Sequence, residues 1–217
     1  GAEKAIEVYY NKVSVDNCVI KDCSVNGVYL NNSEFGSFTA NTISDCEEYP
    51  LVIPFLQATA VTSENEISGI GICLTGENVG KKNGKVTVHE QTIPYVFGNG
   101  QWCFEINDNA EVTIEPGVTI AMPEDCFIRV GYSTSGKLTA VGTEEKPITF
   151  TSNLTDKAAG DWDKIEFHEY ASKSSALKNC IIEYAGGGDY GAVEVYYTAV
   201  AIDSCTITNS SSYGVLV

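Results

Sequence analysis

From Ala5 onward, apolar and polar residues alternate in short bursts. Ile6 and Val8 flank Glu7, Val28 and Leu30 flank Tyr29, Val86 and Val88 flank Thr87, and Val112 and Ile114 flank Thr113. A two-residue period puts successive side chains on opposite faces of an extended chain, so each burst predicts a strand with one buried face. The 3.6-residue spacing of an amphipathic helix is scarce. The polar stretch TSNLTDKAAGDWDK at 151–164 contains a glycine and reads as a loop with room for one helical turn.

The bursts recur at a longer interval. Cys18-Val19-Ile20, Asn41-Thr42-Ile43 and Asn65-Glu66-Ile67 follow one another at steps of 23 and 24 residues, and Cys180-Ile181-Ile182 leads to Cys205-Thr206-Ile207 at 25. Val86-Thr87-Val88, Val112-Thr113-Ile114 and Leu138-Thr139-Ala140 are each 26 apart. Strand alternation inside a repeat of this length predicts three short strands per coil, with coils stacked in register about 4.8 Å apart. The expected fold is therefore all-β, a parallel β-solenoid of about nine coils of 22–26 residues.

Three columns of strands can be drawn. One holds the V-T-x strands and Val200-Ala201-Ile202. A second holds Val118-Thr119-Ile120, Ile148-Thr149-Phe150, Cys180-Ile181-Ile182 and Cys205-Thr206-Ile207. The third runs from Ile6-Glu7-Val8 through the triplets at Val28, Leu51, Ile72, Phe104, Ile128, Ile165 and Val193 to Val215. Gly-, Lys-, Asn-, Asp- and Ser-rich stretches near 76–85 and 151–162 are expected as insertions. One domain over 1–217 accommodates all of this.

The two ends of the chain resemble each other. Residues 5–30 align without a gap on 192–217, at an offset of 187, with 12 of 26 positions identical, among them Glu7/Glu194, Tyr9/Tyr196 and Tyr10/Tyr197. This predicts a super-repeat of several coils and a longer parent protein, with Gly1-Ala2 read as a remnant ahead of a trimmed sequence. The formal charge of −16 repels nucleic-acid phosphate and anionic lipid, and no apolar run is long enough to span a bilayer. Nucleic-acid binding and membrane insertion are not expected, and a monomer is.

The stretches V-T-I-E-P-G-V-T-I, G-K-L-T-A-V-G-T-E-E-K-P-I-T-F-T-S, G-D-W-D-K-I-E-F and L-K-N-C-I-I-E-Y-A resemble right-handed parallel β-helix repeat proteins of the pectin-lyase-like group. More narrowly, they resemble bacterial secreted or surface members of the kind common in Bacteroidetes. The resemblance implies a right-handed coil and an extracellular or bacterial cell-surface location. It is specific for fold and weak for activity, because the group spans lyases, hydrolases and adhesins.

The candidate chemistry is sparse. Lyase chemistry in that group takes a proton with Arg or Lys beside Asp-bound calcium, and the chain's single arginine, Arg129, falls between Glu105 and Glu166, with Glu194 next. This row reads either as a surface charge ladder or as a shallow sugar-binding strip. Asn107, His168 and Tyr196 lie two residues further along, and Trp162, Tyr170 and Tyr197 could add aromatic platforms. His168 could also serve as an acid or base. No cofactor is expected: Asp156, Asp161 and Asp163 read as a solvated turn, with calcium coordination as the alternative. The hydrolase patterns N-T-D, D-D and G-H-G are missing. The glycines of AGGGDYG at 185–191 precede a strand, not a helix, and read as a wide turn. Cys23/Cys46, Cys103/Cys126 and Cys180/Cys205, at 23, 23 and 25 residues, are expected as stacked reduced thiols, and asparagines at turns as partners for buried backbone.

The functional reading leads with a non-catalytic surface module presenting its flank to a polysaccharide or cell-surface protein. A polysaccharide lyase or glycoside hydrolase is the rival class, and a structural spacer the third.

Overall fold

The computed structural model describes residues 4–76, 84–98 and 103–217. Every strand pair in it is parallel, as a chain wound in successive coils requires. A long sheet of nine strands runs the length of the molecule: Lys4–Tyr9, Asn26–Asn31, Leu51–Pro54, Ile72–Thr75, Tyr95–Phe97, Thr119–Met122, Ile148–Ser152, Cys180–Glu183 and Thr206–Thr208. Its eight intervals are eight turns of a β-solenoid.

Alternation builds the interior. Ile6, Val28, Leu51, Ile72, Tyr95, Ile120, Phe150, Ile182 and Ile207 are register partners in succession. All but the end members Ile6 and Ile207 are buried. Each such side chain contributes about 1.5–3 kcal/mol on leaving water. The steps along this row are 22, 23, 21, 23, 25, 30, 32 and 25 residues. The stretch 151–162 lies on the longest of these turns. The other expected insertion, near 76–85, falls mostly outside the described residues, and its turn spans an ordinary 23.

The other sides of the coil differ between the two halves. Early on, the long sheet is followed by Lys12–Asp16 paired with Glu34–Thr39, then by a side of Val19–Ile20, Thr42–Ile43 and Glu66–Ile67. The column of Lys12–Asp16 continues through the 3₁₀ turn Phe55–Ala60, whose Gln57 side chain accepts the Phe35 N–H and whose Thr59 hydroxyl accepts the Thr87 N–H. It goes on as the V-T-x sheet: Lys85–Val88, Ala110–Ile114, Gly136–Val141, Ala176–Lys178 and Ala201–Asp203. The side of Glu66–Ile67 stops there. A new five-stranded sheet opens on the opposite flank of the V-T-x column, and is called the ladder sheet below: Cys103–Ile106, Phe127–Val130, Ile165–Phe167, Val193–Val195 and Val215–Leu216. Phe55, Phe97 and Phe104 fill the core where the cross-section changes, the Phe104 ring centroid lying 4.2 Å from that of Phe55 and 4.7 Å from that of Phe97.

The third column expected from sequence is therefore two columns. Its members up to Ile72 belong to the long sheet, and those from Phe104 to the ladder sheet, so Glu7 does not share a ridge with Glu105, Arg129, Glu166 and Glu194.

One-residue turns in the left-handed region join many strands, and among the described residues ten of the fifteen non-glycine positions with positive φ are Asn or Asp. Asparagine also bonds coil to coil. Asn41 Oδ1 accepts the Cys18 N–H at 3.0 Å while its Nδ2 donates to Val15 O at 2.7 Å and to Asn65 Oδ1 at 3.0 Å. Asn65 Nδ2 in turn donates to Phe38 O at 3.1 Å. Cys23 stacks on Cys46, and the register of the last long-sheet strands stacks Cys180 on Cys205; all four are free thiols. The third pair is a correction: the ladder-sheet step is 24 there, so Cys103 partners Phe127, not Cys126.

Candidate functional site

The ladder sheet brings Glu105, Arg129, Glu166 and Glu194 into one row, because each occupies the middle of its strand and the strands pair in register. The flanking apolar residues, such as Ile128 and Val130, point inward, which turns the row to the opposite face. That face is not open water. Glu166 is 3% exposed and Glu194 is 0% exposed.

Two cations separate three carboxylates. Arg129 Nη1 lies 3.5 Å from Glu105 Oε1, and its Nε lies 3.3 Å from Glu166 Oε1. Lys164, absent from the sequence-derived row, sits just before its strand and reaches Glu166 Oε2 at 3.2 Å and Glu194 Oε2 at 2.6 Å. The order Glu105, Arg129, Glu166, Lys164, Glu194 thus alternates in sign. Burial pulls the Lys164 pKa down, but the Glu194 hydrogen bond and the nearby Glu166 outweigh it and raise the pKa overall.

The stretch 185–191 supplies the cover, a tighter device than the wide turn expected. Gly187–Asp189 forms a 3₁₀ turn, Gly191 N–H donates to Glu194 Oε1 at 3.0 Å, and the Tyr190 ring lies 3.7 Å from Lys164 Nζ. A side chain at Gly187 would collide with Gly160 O and Asp163 Oδ1 at 2.8 and 2.9 Å, which is why glycine stands there. Asp163 beneath it has a raised pKa, first through burial and then through Asp125, with Lys164 opposing and Glu194 adding.

Beside the ladder is an aromatic cluster centred on His168. The rings of Tyr132, Tyr196 and Tyr197 lie 5.0, 5.8 and 6.3 Å from it. His168 Nδ1 is buried without a hydrogen-bond partner, so ring contacts hold the imidazole. Tyr196 donates its hydroxyl to Glu194 Oε2 at 3.0 Å, and Arg129 lies 4.3 Å from the Tyr132 ring centre. Asn107 is buried, donating to Glu105 Oε2 at 3.1 Å and accepting the Tyr132 N–H at 3.1 Å. Tyr197 stands 88% exposed.

Other expected members lie elsewhere. Trp162 is 0% exposed and its Nε1 donates to Glu183 O at 2.9 Å, so it is a core residue and not a platform. Tyr170 is exposed but makes no ring contact with the cluster among those described. Asp156, Asp161 and Asp163 do not converge. Asp161 closes its own turn by accepting the Ala158 N–H at 3.0 Å, and Asp163 Oδ1 lies against Gly187. No group of three or more His, Cys, Asp or Glu side chains able to hold a metal ion occurs among the described residues. Lys164, Tyr132 and Tyr190 were missed by the sequence reading. The signal available for Lys164 was its place two residues before Glu166 on the ladder strand.

Residues 80–178 match the family model of the pectate-lyase like beta helix domain. The match spans Glu105 through His168 and ends before Glu194, Tyr196 and Tyr197. No curated protein and no solved structure matches the chain. The pectate-lyase-like coil points to a carbohydrate-related role.

Proposed function

We propose that the protein is an extracellular or cell-surface module that binds a neutral glycan on the platform of Tyr132, His168, Tyr196 and Tyr197 without cleaving it. The observation that carries this reading is a histidine ringed by three tyrosines at the surface of a carbohydrate-type fold. Flat aromatic faces stack on sugar rings, while phenol and imidazole groups exchange hydrogen bonds with sugar hydroxyls.

Charge selects the sugar class. Arg129 and Lys164 are each held between carboxylates, which leaves neither cation available for a uronate. The net charge of −16 repels polyanions as well. The same pairing argues against proton abstraction, since a lysine with a raised pKa is a poor base at neutral pH.

The test is retention on immobilised neutral polysaccharides (cellulose, xylan, mannan) against polygalacturonate, with product analysis of the soluble fraction. Retention on a neutral polymer, weakened about five- to tenfold by His168→Ala or Tyr197→Asn, is expected from the loss of one ring contact. Selective retention on polygalacturonate, or release of new reducing ends or unsaturated sugars, would overturn the reading. Retention nowhere would leave the spacer.

A further inference from the structure

We propose that the first coil carries a second glycan platform, built from Glu7, Tyr9, Tyr10 and Tyr29 with Lys4, for the same class of neutral sugar. This inference rests on the glycan reading of the Tyr132–His168–Tyr197 platform and extends it to the opposite end of the solenoid.

The two places share more than sequence. Tyr9 donates its hydroxyl to Glu7 Oε1 at 2.6 Å, as Tyr196 does to Glu194 Oε2 at 3.0 Å. Lys4 pairs with Glu7 and lies 4.2 Å from the Tyr29 ring centre; Lys164 pairs with Glu194 and lies 3.7 Å from the Tyr190 ring centre. In both, a carboxylate is engaged by one lysine and one phenol, and that lysine sits over a second tyrosine. Tyr9 and Tyr29 lie with centroids 6.4 Å apart, giving the first coil its own pair of rings.

Backbone conformation supplies an independent sign. Tyr10 and Tyr197 adopt φ of 51° and 55°, a region that costs a bulky residue energy and that ten of the other positive-φ positions fill with Asn or Asp. A third such tyrosine among the described residues, Tyr184, packs against the core, which offsets its strain. Tyr10 and Tyr197 are 79% and 88% exposed, so burial offsets little. Strain kept at an exposed aromatic is accounted for by what the ring meets outside the chain.

The tertiary structure separates the two places. Glu7 lies in the first strand of the long sheet, and Glu194 in the ladder sheet between the eighth and ninth long-sheet strands. The stacking interval puts them roughly 35 Å apart along the axis, so the platforms act as two sites and one short oligosaccharide cannot fill both.

The experiment is calorimetric titration of the intact protein with cellotetraose, xylotetraose, mannotetraose and maltotetraose. It is repeated on Tyr10→Asn, Tyr197→Asn and the double variant; asparagine suits the left-handed turn and keeps the fold. Expected is a stoichiometry of two for a tetraose that binds, one in each single variant and none in the double. A stoichiometry of one that Tyr197→Asn abolishes and Tyr10→Asn leaves unchanged overturns the second platform while sparing the first. A stoichiometry of two that Tyr10→Asn leaves at two overturns it as well. No binding of any tetraose overturns both.

Discussion

The early turns and the late turns bury polar side chains between coils in two different ways. Around Asn41 and Asn65 the groups are neutral amides, each donating and accepting against backbone of the neighbouring coil. Along Glu105, Arg129, Glu166, Lys164 and Glu194 they are full charges that satisfy one another. An amide stack carries no net charge, so losing one rung leaves unpaired dipoles but no buried charge. An ion ladder works only as a set, because removing one member leaves a buried charge without its counterpart. The late turns are therefore expected to respond to mutation and pH in ways the early turns do not.

The largest effect should come from Lys164→Met, which leaves Glu194 and half of Glu166 uncompensated. A loss of about 3–5 kcal/mol in urea unfolding is expected. Replacing Lys164, Glu166 and Glu194 together by Met, Leu and Leu should recover most of that loss; failure to recover would mean that packing, not charge, is what the lysine supplies. Asn41→Leu comes next, at about 2–3 kcal/mol, through the orphaned Cys18 N–H and Val15 carbonyl. A larger cost for Asn41→Leu than for Lys164→Met would invert the comparison.

Alkali should separate the two devices further. The folded Lys164 pKa is raised above 10.5, so its contribution is fully present below pH 10.5 and is lost as pH rises through the folded value. The destabilisation by Lys164→Met should shrink above that point, while that by Asn41→Leu stays constant across the same range. The smallest effect belongs to Asp163→Asn. A carboxyl whose folded pKa is raised binds its proton more tightly in the native state, so the native protein gains stability from this group as pH falls toward 3.8. The variant should be more stable than the parent at pH 7 by less than about 1 kcal/mol, and lose that advantage below pH 4. A destabilised variant at pH 7 would show that Asp163 is held by a favourable contact instead.

The last coil repeats the first in local terms. Tyr10 and Tyr197, Asn17 and Ser204, and Asp22 and Asn209 all take positive φ at aligned positions. Yet the strand after Ala5 joins the long sheet, and the strand after Ala192 joins the ladder sheet. The same turns thus serve different sides of the coil, one side out of step. Sequence alignment sees the turns and not the step. For the same reason, extending one column from Glu7 to Glu194 went wrong at Phe104, while the part from Glu105 onward was correctly read.

Strand alternation and a recurrence of about two dozen residues were enough to specify a parallel solenoid, its approximate coil count and a row holding Glu105, Arg129, Glu166 and Glu194. Those features depend on which face each residue takes and on what lies one coil away, and both are periodic along the chain. Tertiary structure decided which sheet each strand enters, because side chains alternate identically in all of them. It also decided that Trp162 is core and that Glu194 is covered, because burial depends on where the loop at 185–191 closes, and nothing periodic encodes that.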